Sequence, residues 1–386
     1  MDKLPKTADV VIIGGGIMGL FIAYYLAKRD CHKIAVLESQ DYLGGVTTNL
    51  CAGGLRYQFS NRINIELSKK SLDILANFEA EFGLGLEINK CGYLFALTNE
   101  YLDHFRQACN LQNSLGVKTE WLTREAVEQK IPFMNLDDIV AGTFCGEDGL
   151  VDPHRVTSGV LKALREKNVA LFPGNPALEI GVEKNRITAV KTPNGTVNTP
   201  IVVNAAGPWI SLLARLAGVE LPVFPALQQL FVTGKVPGVP AGFPVVIFPK
   251  PGLGFHREGE GILTGMTMPL TPAKDFSMNV DQAWEAKHCE NAINRLPGLA
   301  NAELKSSWAG LYAETPDECP ILGKIPWLDG FYCAGGFSGH GFMHAPVCGL
   351  LLSEEIIDGK AATMDIRPLR VDRYINKVAK AEVLKI

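Results

Sequence analysis

The first patterned stretch of the chain is an apolar run without polar alternation, Asp9–Gly14 (DVVIIG), as in a parallel strand buried on both faces. From Gly16 to Arg29 apolar residues recur at helical spacing, with Ile17, Leu20, Ala23, Tyr24 and Ala27 on one side. A second unbroken run, Lys33–Glu38 (KIAVLE), predicts another buried strand, so the segment reads as a βαβ unit with a right-handed crossover. Beyond it, strands and helices mix without strict alternation. Asn64–Phe82 reads as one amphipathic helix carrying Leu67, Leu75, Phe78 and Phe82, and Tyr93–Thr98 as a strand. Asp152 at an N-cap and Pro153 in the first turn open a helix to about Lys167. Asn194-Gly195, flanked by Ile187–Lys191 and Thr196–Val203, signals a hairpin. Thr233–Gly265 holds short strands among prolines and glycines, and Gly330–Gly335 is a strand leading through a glycine-rich turn into a helix over Phe342–Asp358.

At 386 residues, 47% hydrophobic and 20% charged, the chain has material for about two domains. No linker, repeat or low-complexity segment separates them, which predicts interleaving. Residues 1–85, 147–222 and 320–386 are expected to build a nucleotide-binding domain, with 86–146 and 223–319 forming a sheet domain for substrate. A net charge of −4 with no basic run offers nothing to nucleic acid. The apolar stretch Val10–Leu26 carries Gly14, Gly15, Gly16 and Gly19, lacks a basic lead-in, and so fits neither a membrane span nor an export signal. Nine scattered cysteines (Cys31, Cys51, Cys91, Cys109, Cys145, Cys289, Cys319, Cys333, Cys348) form no CxxC and no metal-like pairing with histidine. They read as reduced thiols in a cytoplasmic protein, most of them small buried hydrophobes, and no metal site is expected.

Gly14, Gly16 and Gly19 fit GxGxxG between the first strand and its helix. One glycine makes the turn, one lets backbone approach a pyrophosphate, and one lets the helix pack close. The helix N-terminus then offers free N–H groups to phosphate. Glu38 ends the next strand, 19 residues after Gly19, where an acid binds a ribose hydroxyl pair and disfavours a 2′-phosphate. Gly44-Gly45-Val46-Thr47-Thr48 is a second small, hydroxyl-rich turn suited to flavin-side phosphate and ribitol.

Five segments carry a resemblance over nearly the whole chain: DVVIIGGGIMG with Glu38, Cys51–Phe59 (CAGGLRYQF), Val202–Trp209 (VVNAAGPW), Gly310–Gly323 (GLYAETPDECPILG) and Gly335–Pro346 (GGFSGHGFMHAP). The chain resembles FAD-dependent oxidoreductases of the D-amino-acid oxidase (DAO) type, and looks closest to the β subunits of sarcosine oxidase and L-proline dehydrogenase. The resemblance implies an α/β fold (α+β overall), with a Rossmann-like FAD-binding domain interleaved with a mixed or antiparallel-sheet substrate domain. It implies FAD held by Gly14, Gly16, Ile17, Met18, Gly19, Glu38 and Ser39 on the ADP half. Gly45, Val46, Thr47 and Thr48, then Ala177, Ala205, Gly207 and Trp209, would follow along the cofactor. Gly310, Gly339, His340, Gly341, Phe342 and Met343 would meet the isoalloxazine. Arg56 matches an arginine that pairs with an amino-acid carboxylate, a role suited to its planar fork. His256 and Tyr312 match positions at the flavin face, and His340 the histidine of the GHG turn. The implied reaction is hydride transfer from the carbon next to nitrogen to flavin N5.

Three departures sharpen this. Gly252 and Met343 stand where monomeric sarcosine oxidases have lysines that serve oxygen and the substrate carboxylate, and Gly310 where they tether FAD through cysteine. Non-covalent FAD is therefore expected, in a dehydrogenase of small amines or amino acids that passes electrons to a protein or quinone, and the resemblance to β subunits implies a hetero-oligomer with a second subunit. Two alternatives share the motifs: oxidation of a 2-hydroxy acid or glycerol 3-phosphate, with His256 or His340 as base, and a non-catalytic FAD-binding assembly factor.

Overall fold

The computed structural model describes residues 3–384 apart from 271, 274, 377, 380 and 383, so the expected outer domain bounds at 1 and 386 lie outside the described residues. Its centre is a six-stranded sheet ordered Ile321–Lys324, Phe331–Gly335, Val202–Asn204, Val10–Ile13, Ile34–Leu37, Ala170–Phe172. Its strands pair in parallel except at the Ile321–Lys324 edge, which runs antiparallel. The first helix, Ile17–Lys28, is buried at every residue from Ile17 to Leu26, not along one stripe as its spacing predicts. Helices Gly341–Asp358 and Pro153–Glu166 pack against it, so no face of its first turns meets water.

An eight-stranded sheet forms the other half, ordered Leu304–Glu314, Phe224–Thr233, Gly261–Met266, Leu253–Glu258, Val245–Phe248, Tyr93–Leu97, Ala141–Cys145, Thr119–Thr123. All its strands lie within 93–145 and 224–314, and only the join of Tyr93–Leu97 to Val245–Phe248 is parallel. The chain thus has an α/β fold in which a Rossmann-like region interleaves with a mixed, largely antiparallel sheet.

Two expected elements divide. The helix over 64–82 is two helices, Arg62–Ala76 and Phe78–Phe82, because Asn77 leaves helical geometry and its Nδ2 donates to the Asp73 carbonyl at 2.8 Å. The break turns Phe78 and Phe82 inward, rings 4.5 Å apart. The strand over 196–203 also divides: Gly195–Asn198 closes the hairpin, Pro200 cannot continue it, and Val202–Asn204 joins the central sheet beside Val10–Ile13.

Near its end the chain is stapled by Arg373, which is buried and donates to Asp317 at 2.8 and 3.1 Å and to the Leu369 and Cys319 carbonyls at 2.7 Å. Burial pushes the Asp317 carboxyl up, but hydrogen bonds from Arg373 and Tyr374 outweigh it and hold the carboxyl below its ordinary range. R373M strands that carboxylate and should cost about 3–5 kcal/mol in urea unfolding at pH 7. Because the folded pKa is depressed, the stapling energy should be present above about pH 4 and vanish as pH falls further.

Candidate active site

Between the two sheets runs a cavity of about 660 Å³. One end is built by the strand–turn–helix. At Gly14 (φ +115°) a Cβ would lie 2.4 Å from the Ala205 carbonyl oxygen, so only glycine admits the turn. At Gly19 a Cβ would meet the Gly14 carbonyl at 2.0 Å, so this glycine seats the helix on the strand. The Gly16 N-cap offers no side chain, and the Thr48 hydroxyl accepts from Ile17 N–H at 3.1 Å. Glu38 accepts from Gly15 N–H at 2.7 Å, Gln40 N–H at 2.8 Å and the Ser39 hydroxyl at 3.1 Å, which orients its carboxylate at the cavity wall. Gly45, Val46, Thr47, Ala177, Ala205, Gly207 and Trp209 also line the cavity.

At its middle the turn Ser338-Gly339 takes two left-handed conformations (φ 44° and 90°) and aims the start of helix Gly341–Asp358 at the cavity. No side chain caps that N-terminus, so its positive end faces the open space. His340 is anchored on both nitrogens: Nε2 lies 3.2 Å from the Glu318 carbonyl and Nδ1 3.3 Å from His344 Nδ1, whose Nε2 lies 2.9 Å from the Ser68 hydroxyl. A carbonyl only accepts, which fixes the direction of the chain. His340 Nε2–H donates to Glu318, His344 Nδ1–H donates to His340, and the Ser68 hydroxyl donates to His344. Burial, then the Arg56 charge, pushes His340 down to about 3; burial, His340 and Arg56 hold His344 well below its ordinary value. Both rings are neutral, and His340 has no nitrogen left to act as a base. Buried bases with depressed pKa values bind fewer protons folded than unfolded. The fold should therefore lose up to about 1.4 kcal/mol per histidine per pH unit as pH falls below about 6.5. Urea melts between pH 7 and 5 should show this decline, and it should shrink in the H344N variant.

Arg56, His256, Tyr312 and Met343 line the same cavity, and the Arg56 charge acts on both Tyr312 and His340. Arg56 is 5% exposed, its guanidinium lies 3.9 Å from the Phe59 ring, and its one hydrogen bond among the described residues goes to the Gln58 carbonyl. No carboxylate forms an ion pair with it among the described residues. Burial lowers its pKa, and the charge of Glu382 is the strongest of the effects opposing that. Behind it, buried Asp148 accepts from Tyr57 N–H at 2.6 Å and from Gln58 Nε2 at 2.9 Å, and burial pushes its carboxyl up to about 7. His256 sits in strand Leu253–Glu258 with Nδ1 2.9 Å from the Arg257 carbonyl, while its buried Nε2 has no partner among the described residues. Burial lowers its pKa, keeping it neutral. Burial pushes the Tyr312 hydroxyl up to about 12.

Residues 9–355 match the model of the DAO family, FAD dependent oxidoreductase. The chain belongs to this family. It is 29% identical to FAD-dependent oxidoreductase domain-containing protein 1 of Xenopus laevis, over 97% of this chain and 84% of that one. It is 30% identical to human mitochondrial sarcosine dehydrogenase over 92% of this chain, spanning 40% of that longer protein. Among solved structures, L-proline dehydrogenase from P. horikoshii superposes with a TM-score of 0.89 at 30% identity, covering 98% of this chain and 100% of that one.

For a DAO-family chain the cofactor is FAD, and the cavity suits it: a glycine turn closed to any Cβ, an oriented acid, and two open helix N-termini along one continuous space. Every residue expected at the site lines this cavity except Gly19, which packs beneath it. Gln40, Asn175, Gln228, Trp308 and Glu382 line it without having been singled out by motif. Cys51 is the one cysteine of the lining, and burial pushes its thiol up to about 12. The two arginines that a phosphate substrate would call on beside Arg56 do not line the cavity: Arg62 pairs with Glu66 on the surface, and Arg257 donates to the Val239 and Glu260 carbonyls. Five of the nine cysteines are buried and four are partly so. No helix among the described residues is long and apolar enough to cross a membrane.

Proposed function

We propose that this chain is a dehydrogenase that oxidises the C–N bond of a small amino acid or secondary amine of the L-proline, sarcosine and glycine class. The observation carrying this is Arg56, a buried guanidinium on the cavity wall with no carboxylate partner among the described residues. A desolvated cation in that condition is matched by a substrate carboxylate, which it can grip with two parallel N–H donors. FAD held by the glycine turn and Glu38 would supply the oxidant that takes hydride from the carbon next to nitrogen. His256 donates Nδ1–H to a carbonyl, so Nε2 carries a lone pair that can accept a substrate N–H and orient the nitrogen. Its neutrality avoids repelling a protonated amine. Met343 closes the wall with an apolar surface, and the helix behind it offsets negative charge gathering on a reduced cofactor. The similarity to proteins named sarcosine dehydrogenase and L-proline dehydrogenase supports the same reading.

Gly252 supports an acceptor other than oxygen, a redox protein or quinone reached through a partner subunit. It has φ +82°, and a Cβ there would lie 2.7 Å from Thr267 Oγ1, so no lysine fits this position. Non-covalent FAD follows from Gly310 and from Cys51, whose raised pKa keeps it a thiol, a poor nucleophile. Segments 86–146 and 223–319 carry the substrate side, and the remainder the cofactor. A phosphate substrate lacks support because Arg62 and Arg257 lie off the cavity. Of the two histidines considered as base for a hydroxy acid, only His256 keeps a ring nitrogen free among the described residues, since His340 is engaged on both.

The test is an anaerobic titration of the flavin spectrum with L-proline, sarcosine, glycine, N,N-dimethylglycine and L-2-hydroxyglutarate. Bleaching by one of the amines, with slow recovery in air, is expected. Bleaching by the hydroxy acid alone, or prompt recovery in air, contradicts the reading, and indifference to all five points to an assembly factor.

A further inference from the structure

The last described residues of the chain do not trail into solvent. Glu382 and Leu384 are each 2% exposed, and both line the cavity that holds Arg56. Leu384 packs in an apolar cluster with Tyr93, Phe95 and Val245. The Glu382 carboxylate is fixed by five donors. Oε1 accepts from Ser60 N–H at 2.7 Å, from the Ser60 hydroxyl and from Leu384 N–H at 3.1 Å. Oε2 accepts from Asn61 N–H and Asn64 Nδ2, each at 3.3 Å. Glu382 N–H in turn donates to the Asp317 carbonyl at 3.0 Å, tying the segment to the loop that Arg373 staples.

A carboxylate held this way cannot rotate out of the cavity wall. It is also too far from Arg56 for an ion pair, since neither group makes a salt bridge with the other. The two opposite charges therefore share one walled space without neutralising each other on contact. We propose that Glu382 is a specificity-determining residue of the substrate site, which admits amines with one carboxylate and rejects those with two. This inference rests on Arg56 as the carboxylate anchor. The first carboxylate gains the Arg56 fork. A second, with no further arginine or lysine among the described lining residues to receive it, faces the fixed charge of Glu382. Specificity of this kind comes from repulsion built against the wrong ligand. A unit charge several ångströms away at an effective dielectric near 20 changes affinity by about tenfold or more.

The experiment uses the FAD-loaded enzyme and reads binding rather than turnover. Propionate and succinate differ by one carboxylate, and their dissociation constants follow from flavin difference spectra and from calorimetry. Wild type should prefer propionate by about tenfold or more; E382Q should lose about tenfold of that preference, and E382D, which keeps the charge, should retain most of it. A wild type that does not discriminate, an E382Q preference equal to wild type, or an equal loss of both ligands in E382Q would each overturn the proposal. If the pattern appears while no amine bleaches the flavin, amine oxidation fails and the role of Glu382 stands.

Discussion

R56M should lower kcat/KM for the amino-acid substrate by about a thousandfold while FAD stays bound at wild-type stoichiometry. The substitution keeps an apolar stem over the Phe59 ring and removes the only arginine or lysine among the described residues of the cavity wall. Losing a desolvated, charge-assisted pair costs about 2–5 kcal/mol, which spans roughly thirtyfold to several thousandfold. Part of the loss should appear in KM, as binding, and part in kcat, because a carboxylate without its fork leaves the reacting carbon misplaced. Steady-state kinetics with flavin content measured on the same samples checks this. An R56M enzyme within about threefold of wild type would remove Arg56 from substrate recognition.

G14A should abolish cofactor retention. Alanine at this turn faces two penalties together: a backbone at φ +115° that L-residues avoid, and a methyl 2.4 Å from the Ala205 carbonyl oxygen. Both partners are backbone at the junction of two central strands, so neither can step aside without moving the sheet. The flavin-to-protein absorbance ratio after gel filtration should fall by about tenfold or more. Far-ultraviolet circular dichroism separates a folded apoprotein from a collapsed fold, and normal flavin content in G14A would contradict the assignment of this end to the cofactor.

What was legible in the sequence was what is local. The strand–glycine–helix unit rests on spacing within one βαβ segment, and Asp152-Pro153 caps its helix where expected. Tertiary burial decided the rest. The first helix is covered all round because other helices close over it, which its own spacing does not record. Asn77 ends a helix in the middle of a continuous amphipathic pattern, since a side chain competing for a backbone carbonyl leaves no mark on hydrophobic periodicity. His344 did carry a signal, four residues after the N-cap His340 in the first turn of the helix, a spacing that brings the two rings together. Glu382 carried none. It lies 322 residues from the Ser60 that holds it, in no motif, and only the folded chain brings it to the cavity wall that Arg56 shares.

The most direct measurement compares matched ligands with and without the carboxylate: L-proline against pyrrolidine, titrated anaerobically into the FAD-loaded enzyme. An FAD dehydrogenase anchored by Arg56 should be bleached by L-proline, or by sarcosine in the parallel pair with dimethylamine, and spared by the amine lacking the carboxylate. Equal bleaching by both members of a pair, or by neither member of either pair, would contradict the account.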